Sequence, residues 1–335
     1  KPAAHFAHSY AEARTKFLAA AAAAGLDPVA HTHPLLGRDS ETLAMDVARF
    51  GAADAQALLV LSSGCHGVEG YCGSGVQNAL LADPQWHASA QRAGVAILYI
   101  HALNPYGFSW LRRTTHENVD LNRNFQDFSE PLPRNEAYDH LAHLIVPPMW
   151  PPSPEVKAGL AEYVAEHGLK GLQAAVSGGQ YDHPQGLFYG GRNPTWSQQT
   201  LRHVLRDHGR QCKRLGWIDL HTGLGPSGHG ERIFAGPDDA ATLQRARTWW
   251  GGQVTSIYDG SSESADARAS TAGSGAAAST SMAGASASAS ASSAASASNA
   301  GASAAGASAS ASSEASASNA GASAEVAASA ASSAG

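Results

Sequence analysis

Short apolar runs that end in glycine-containing polar loops recur along the chain. Residues 58–62 (Leu-Leu-Val-Leu-Ser) and 95–100 (Val-Ala-Ile-Leu-Tyr-Ile) have the length and the apolar content of buried strands. Residues 217–220 form a similar run, and residues 42–47 are expected to start the sheet. Because helical patterns separate these runs, we predict an α/β fold in a single domain, with a central mixed, mostly parallel twisted sheet flanked by helices.

Proline and glycine mark the segments that interrupt this pattern. Pro34 and Gly37 predict a connector over residues 31–38, and Pro105 and Gly107 predict a turn. Between such segments, small, apolar and charged residues recur at helical spacing. They predict helices at residues 9–24, 73–81, 157–168 and 201–215.

The overall charge excludes two classes of partner. The 335-residue chain has a formal net charge of −6 at pH 7, so we expect neither nucleic acid nor an anionic membrane as a partner. No apolar run reaches the ~18 residues of a membrane span. The three cysteines cannot all pair with one another, which favours a reducing, cytoplasmic location. The chain does not begin with methionine, which is consistent with a missing N-terminus.

The composition changes after Tyr258, where alanine, serine and glycine take over. A natural segment of this kind would be disordered, because it cannot bury enough apolar surface to fold. We prefer the interpretation that residues 261–335 carry placeholder identities for the last part of one catalytic domain spanning residues 1–335. In that case we expect ordered strands and helices there, packed against the first 258 residues.

The loop after residues 58–62 carries an imidazole and a carboxylate three residues apart. His66 and Glu69 lie among glycines, which let the backbone approach a ligand closely. Both residue types bind zinc, and a catalytic zinc needs three protein ligands. The best third ligand is His221, which also follows a strand-like run, because loops at the carboxyl ends of strands form sites in open α/β sheets. The pattern predicts one transition metal per chain, most simply Zn²⁺.

Residues 112–125 form a second polar stretch, rich in arginine and asparagine. An arginine guanidinium binds carboxylates bidentately, and asparagine offers both a donor and an acceptor. The stretch is unremarkable as a solvated loop. Beside a metal, it would bind the carboxylate of a substrate.

Four motifs together resemble a known family. They span residues 62–226, and weaker similarity runs from Ser9 to about Ser262. The chain resembles the zinc carboxypeptidase family of the carboxypeptidase A type, and more narrowly an uncharacterised bacterial branch known as a domain of unknown function. The motifs are Ser-Gly-Cys-His-Gly-Val-Glu-Gly, Leu-Asn-Pro-Tyr-Gly-Phe, Asn-Val-Asp-Leu-Asn-Arg-Asn-Phe and Ile-Asp-Leu-His-Thr-Gly-Leu-Gly-Pro.

The resemblance implies a zinc carboxypeptidase-like fold with His66, Glu69 and His221 as ligands of Zn²⁺. It also implies a hydrolase that cleaves a peptide or amide bond next to a free carboxylate. The expected substrate is a small peptide or an acyl-amino acid. In such chemistry a general base takes a proton as water attacks the carbonyl group.

The resemblance also assigns roles around the substrate. Arg113 falls where the family polarises the scissile carbonyl, with Arg112 as the second choice. Asn122 and Arg123 fall where the family binds the terminal carboxylate. Two candidates remain for the family's substrate-side tyrosine, Tyr181 and Tyr189.

The family's general-base glutamate belongs in the Ala/Ser/Gly tail. Asn299 lies at about the expected distance but is not a glutamate, and Glu314 and Glu325 are the other options. Outside the tail, Asp219 shares a strand face with His221 by alternation and could orient that ligand. A buried structural aspartate is an equal alternative for Asp219.

Several other interpretations stay open. Cys65 beside His66 could be a thiol nucleophile, although a small buried residue at a strand end is favoured. A structural zinc site built from Cys65, Cys72 and Cys212 is disfavoured because no Cys-x-x-Cys pair exists. An aspartoacylase-like deacylase of N-acyl amino acids would share the metal pattern. A binding protein that has lost its catalytic base is the alternative outside the enzymes.

Overall fold

The computed structural model of the protein describes residues 2–223 and 228–262. The chain divides into two compact units, and the division falls between Gly223 and Leu224. Positions 299, 314 and 325 and the rest of the Ala/Ser/Gly tail after Ser262 lie outside the described residues. The predicted order of that tail and the predicted single domain therefore stay predictions.

A five-stranded sheet organises the described part of the first unit. Its strands follow the spatial order β1-β2-β4-β3-β5. β3 pairs in parallel with both β4 and β5, whereas β2 is antiparallel to both β1 and β4. Since β2 alone runs against the other four strands, the predicted α/β class with a mixed, mostly parallel sheet is confirmed. The strands are β1 (Val29–Leu36), β2 (Thr42–Phe50), β3 (Ala57–Ser63), β4 (Val95–His101) and β5 (Arg214–Leu220).

Helices cover both faces of this sheet. On one face, Leu61 of β3 and Tyr99 of β4 pack against Phe17 and other apolar side chains of the first helices. On the other face, Val60 and Leu98 pack with Leu201 and its neighbours from a later helix. Buried strands of this kind are apolar at successive positions because neither face meets water. The helices are α1 (Tyr10–Ala23), α2 (Gly70–Leu81), α3 (Pro84–Arg92), α4 (Pro105–Ser109), α5 (Leu121–Asn124), α6 (Glu136–Ile145), α7 (Pro154–Ser177) and α8 (Trp196–Gly209).

Two local predictions were wrong. The connector predicted at residues 31–38 is instead the strand β1, which pairs with β2 alone among the described strands. An edge strand tolerates a proline, here Pro34, and the register of β1 shifts between Thr32 and Leu36. The turn predicted from Pro105 and Gly107 is the first part of α4, where proline occupies the first helical turn.

The described part of the second unit is small. Strand β6 (Ile233–Phe234) pairs in parallel with β7 (Thr255–Ser256), and α9 (Ala240–Trp250) lies between them in sequence. The side chain of Asp239 caps α9 by accepting a hydrogen bond from the Thr242 amide. Of the helices in the described residues, none is both long and apolar enough to cross a membrane.

Candidate metal centre

The two predicted histidine ligands follow neighbouring strands. β3 and β5 are parallel, and Ser63 at the end of β3 is opposite Leu220 at the end of β5. His66 and His221 therefore leave the sheet at the same edge. Their ring centroids are 4.9 Å apart.

A tight turn brings Glu69 back towards His66. Residues Gly67–Glu69 form a single 3-10 turn, and the Val68 amide donates to the Arg112 carbonyl oxygen at 3.3 Å. A Cβ atom at Gly67 would overlap the backbone of Gly107 and the residue after it. The His-Gly-Val-Glu loop thus needs glycine at this position, because two backbone segments meet there.

Both imidazoles turn the same nitrogen towards one carboxylate. His66 Nδ1 lies 2.9 Å from Glu69 Oε1, and His221 Nδ1 lies 3.0 Å from Glu69 Oε2. The Thr222 amide also donates to Glu69 Oε2, at 2.9 Å. One ligand atom from each of the three predicted ligands lies within 4.8 Å of the other two. The structure therefore brings His66, Glu69 and His221 together as a group that could hold a metal ion.

The outward nitrogens of the two imidazoles each face a second carboxylate. His66 Nε2 lies 3.4 Å from Asp120 Oδ1, and His221 Nε2 lies 2.6 Å from Asp219 Oδ2. Histidines that bind metals commonly donate their other ring N–H to a carboxylate, which fixes the ring and its tautomer. The contact of His221 with Asp219 is a hydrogen bond of this kind, whereas His66 Nε2 is buried beside Asp120 and has no hydrogen-bond partner among the described residues. The donor set fits a metal bound through the two Nδ1 atoms and Glu69.

Asp219 is itself held by a short polar chain across the β3–β5 pair. Ser62 Oγ donates to Asp219 Oδ1 at 2.5 Å, and Trp217 Nε1 donates to Ser62 Oγ at 2.7 Å. Ser62 is opposite Asp219 in the strand register. The contact to His221 expected from strand alternation is therefore present, and Asp219 has little freedom to move away from it.

Asp120 lies between His66, a predicted metal ligand, and Arg113, and the sequence does not single it out. Its side chain is fully buried. Asp120 Oδ2 accepts a hydrogen bond from Arg113 Nε at 3.0 Å, while Oδ1 accepts one from the Asn122 amide at 3.0 Å. An aspartate two residues before Asn122, at the N-cap of α5, was the available signal.

These contacts shift several pKa values. Burial alone would raise the pKa of Glu69, but hydrogen bonds from His221 and His66 outweigh burial and hold it well below the usual value. Burial alone would lower the pKa of His221, but the charge and hydrogen bond of Asp219, together with Glu69, raise it to about 10. For Asp120, the charge of Arg113 and the contact with His66 overcome burial and keep the pKa well below its usual range.

Of the two arginines considered for the scissile carbonyl, Arg113 lies beside Glu69 and Arg112 lies beside Thr114 and Asn118. Arg113 Nη1 lies 3.9 Å from Glu69 Oε1. Arg112 instead donates to Thr114 Oγ1 and Asn118 Oδ1, both at 3.3 Å. Arg113, the first choice from the sequence, is therefore the one whose guanidinium lies beside Glu69, a predicted metal ligand.

The predicted carboxylate-binding residues occupy α5. Arg123 donates from Nη2 to the Ser177 carbonyl oxygen at 2.5 Å. Tyr181 is buried, and its hydroxyl group donates to the Arg123 carbonyl oxygen at 2.7 Å. Tyr181 thus holds the backbone of Arg123 through this hydrogen bond. Asn122 is exposed and accepts a hydrogen bond from Cys65 Sγ at 3.2 Å.

Cys65 is a buried thiol beside the site. Burial and the nearby charge of Asp219 raise its pKa well above the usual value, so the group is protonated at neutral pH. A nucleophilic cysteine needs the opposite shift. Cys65, Asp219 and His221 form a second group with metal-ligand atoms within 4.8 Å, but it shares His221 with the first group.

Phe188 was not singled out from the sequence. Its ring centroid lies 5.1 Å from Arg113 Cζ and 5.9 Å from Arg123 Cζ, so one aromatic ring contacts both guanidinium groups. Its backbone has a φ of 51°, in the left-handed region that non-glycine residues rarely adopt. The sequence around Phe188 contains no pattern that predicts this backbone conformation.

Comparisons with solved structures find proteins of low identity. The chain is similar to carboxypeptidase A from Helicoverpa armigera, with 12% identity over 72% of this chain and 52% of that one and a TM-score of 0.42. It is also similar to a Shewanella amazonensis protein described as succinylglutamate desuccinylase/aspartoacylase family, with 17% identity over 59% and 47% and a TM-score of 0.27. A metallo-carboxypeptidase from Burkholderia cenocepacia matches with 12% identity over 62% and 59% and a TM-score of 0.27. The chain spans about half the length of these proteins.

No curated protein sequence matches the chain. One sequence family, described as protein of unknown function (DUF2817), matches residues 6–320. That match covers most of the chain and includes every predicted metal ligand and arginine. The expected branch of unknown function is thereby confirmed, and the chain belongs to the DUF2817 family.

Proposed function

We propose that the protein is a zinc-dependent hydrolase that cleaves a peptide or amide bond next to a free carboxylate. One observation carries this proposal: two imidazole Nδ1 atoms and the Glu69 carboxylate converge at the carboxyl ends of adjacent parallel strands. Two nitrogens and one carboxylate are a ligand set typical of catalytic zinc sites, which keep a further position open. The expected substrate is a small peptide or an acyl-amino acid.

His66, Glu69 and His221 would hold the zinc. When bound, zinc supplies a Lewis acid that lowers the pKa of a water molecule to ~7 and polarises a carbonyl group. Asp219 would keep the His221 ring oriented through the hydrogen bond at Nε2, and the Asp120 carboxylate, 3.4 Å from His66 Nε2, would favour a proton on that nitrogen. The general base belongs to the part of the chain outside the described residues.

Arg113 would stabilise the negative charge that develops on the carbonyl oxygen during attack. Its guanidinium lies beside Glu69, and Asp120 anchors it through Nε. A fixed donor that faces a developing oxyanion needs no reorganisation during the reaction. Removing such a donor costs ~10²–10³ in kcat.

Asn122 and Arg123 would bind the free carboxylate of the substrate, with Tyr181 supporting Arg123. A guanidinium binds a carboxylate through charge-assisted hydrogen bonds, and a lysine ammonium does not reproduce that geometry. Loss of such a contact costs ~1.5–3 kcal/mol, or roughly 10- to 100-fold in kcat/KM.

A substrate series tests this proposal. Zinc-loaded protein is assayed with an acylated dipeptide, its C-terminally amidated form and an N-acyl amino acid, and zinc content is measured by mass spectrometry. We expect about one zinc per chain and hydrolysis of the free-carboxylate dipeptide in preference to the amide. Equal turnover of both dipeptides argues against carboxylate recognition, and cleavage of the N-acyl amino acid alone supports a deacylase.

Three arginine variants sharpen this test. Arg113→Ala is expected to slow every substrate ~10²–10³-fold. Arg123→Ala is expected to impair only the free-carboxylate substrates, by roughly 10- to 100-fold. Arg112→Ala is the matched control, because Arg112 points to Thr114 and Asn118. Equal losses in all three variants would contradict the assigned roles.

A further inference from the structure

One aromatic side chain contacts both of the arginines to which the proposed function gives different roles. Arg113 and Arg123 each place a guanidinium within 6 Å of the Phe188 ring centroid. Because each Cζ atom is at a measured distance from the same point, the two atoms cannot be more than about 11 Å apart. The ring is thus a shared contact of two positive charges, and a cation within about 6 Å of an aromatic face is attracted to it.

The backbone around Phe188 is held on both sides. The Leu187 amide donates to the Tyr138 hydroxyl group at 2.7 Å, and the Phe188 carbonyl oxygen accepts from the Gln180 amide at 3.2 Å. The next carbonyl oxygen, that of Tyr189, accepts from the Asp120 amide at 2.8 Å. A left-handed residue persists only where its surroundings fix it, and such residues concentrate at functional sites.

The same loop shapes the path of Arg123. A Cβ atom at Gly179 would overlap the Arg123 side chain. The Arg123 side chain can pass this loop only because residue 179 is a glycine. Gly179 has a φ of 91°. The Ser177 carbonyl oxygen accepts from Arg123 Nη2, and the Tyr181 hydroxyl group holds the Arg123 backbone. Residues 177–188 thus fix the position of the guanidinium that faces Phe188.

Arg113 is fixed in a complementary way. Asp120 and Glu69 approach the edge of its guanidinium, at 3.0 Å from Nε and 3.9 Å from Nη1. Phe188 lies against the same guanidinium as its aromatic contact. A planar guanidinium stacks on an aromatic ring, whereas an aliphatic side chain offers no comparable electrostatic attraction.

We propose that Phe188 is a positioning residue that fixes the separation of Arg113 and Arg123, and thereby selects substrates by the distance between their reacting carbonyl and their terminal carboxylate. The proposal rests on the function proposed above, which assigns one arginine to each group. Phe188 also packs against the apolar cluster of α6 and α7. A purely packing role would tolerate leucine, whereas positioning through the ring requires an aromatic residue.

A series of linear dicarboxylates tests the proposal without turnover. Succinate, glutarate and adipate differ by one methylene each, and titration calorimetry measures their Kd on the zinc-loaded protein. We expect one length to bind at least ~10-fold more tightly than its neighbours. Phe188→Tyr should keep this preference, and Phe188→Leu should reduce it below ~3-fold.

A third variant and the hydrolysis assay distinguish the possible outcomes. Phe188→Asn, which tolerates a positive φ, serves if the leucine variant melts at a much lower temperature. A length preference that survives in Phe188→Leu or Phe188→Asn, or that is missing in the unmodified protein, overturns the proposal. Length preference without hydrolysis of any substrate contradicts the proposed function alone, and hydrolysis without length preference contradicts this proposal alone.

Discussion

Replacement of Asp120 by asparagine should weaken metal binding and displace Arg113 in one step. Asn has the shape of Asp but exchanges one oxygen for an NH₂ group. At the Oδ1 position this NH₂ would oppose the Asn122 amide, which donates there, and would also lie 3.4 Å from His66 Nε2. At the Oδ2 position it would oppose only Arg113 Nε. We therefore expect the amide to face Arg113 and to leave a neutral carbonyl oxygen beside His66.

The contacts of Asp120 with Arg113 and His66 determine how large the losses in stability, zinc affinity and kcat should be. Loss of a hydrogen bond to a charged group costs ~1.5–3 kcal/mol, which is the expected loss at Arg113. Loss of a carboxylate behind a metal-binding histidine lowers metal affinity ~10–100-fold, equivalent to ~1.4–2.7 kcal/mol. At saturating zinc, kcat should still fall ~10²–10³-fold, because Arg113 no longer has its anchor.

Competition with a fluorescent zinc chelator measures the affinity, and thermal unfolding of the metal-free protein measures stability. Asp46→Asn is the matched control, because Asp46 is equally buried and pairs with Arg14 at 2.7 Å. Asp46→Asn should lower stability and leave the zinc Kd unchanged. If Asp120→Asn binds zinc within ~3-fold of the unmodified protein, or if both variants weaken zinc equally, the linking role of Asp120 is wrong.

Two further predictions concern the release of protons on zinc binding and the loop at Gly179. Zinc binding should release about one proton per site between about pH 6 and 8, because Asp219 and Glu69, despite burial, raise the pKa of His221 to about 10. The apparent zinc affinity should thus rise with pH by about tenfold per unit. Calorimetry in buffers of different ionisation enthalpy measures the number of protons released, and a value of zero would contradict this prediction. Gly179→Ala should cost ~1–3 kcal/mol and raise KM for free-carboxylate substrates, because its Cβ overlaps Arg123. Gly168→Ala, with a φ of 72° but open space around the added atom, should lower stability without changing KM, and an equal KM effect in both variants would contradict this reasoning.

The buried strands and the proximity of His66, Glu69 and His221 could be predicted from short patterns in the sequence. Residues 58–61 and 95–100 are apolar at successive positions, and both runs lie in strands that are covered on two faces. His66 and His221 were linked across a long stretch of sequence by one rule, that carboxyl ends of parallel strands meet. The structure brings them together.

The missed features depend on contacts distant in sequence. Pro34 and Gly37 predict a connector where the structure has β1. Only His33 of the eight residues of this edge strand is buried, so no alternating apolar pattern marks it as a strand. Asp120 looks like an ordinary helix cap until His66 and Arg113 are placed beside it. The left-handed backbone of Phe188 lies between two distant hydrogen bonds, one from the Gln180 amide to the Phe188 carbonyl oxygen and one from the Leu187 amide to the Tyr138 hydroxyl group. No local sequence pattern encodes them.

The hydrogen bond between Ser62 and Asp219 makes the alignment of two distant strands a condition for the site. The two residues are opposite each other in the parallel ladder although they are 157 positions apart in sequence. A slip of β5 by one position would bring an apolar neighbour, Ile218 or Leu220, opposite Ser62 and turn Asp219 to the other face. Any metal bound by His66, Glu69 and His221 would therefore stabilise only the correctly aligned chain, and it would close a loop of more than 150 residues as a removable cross-link.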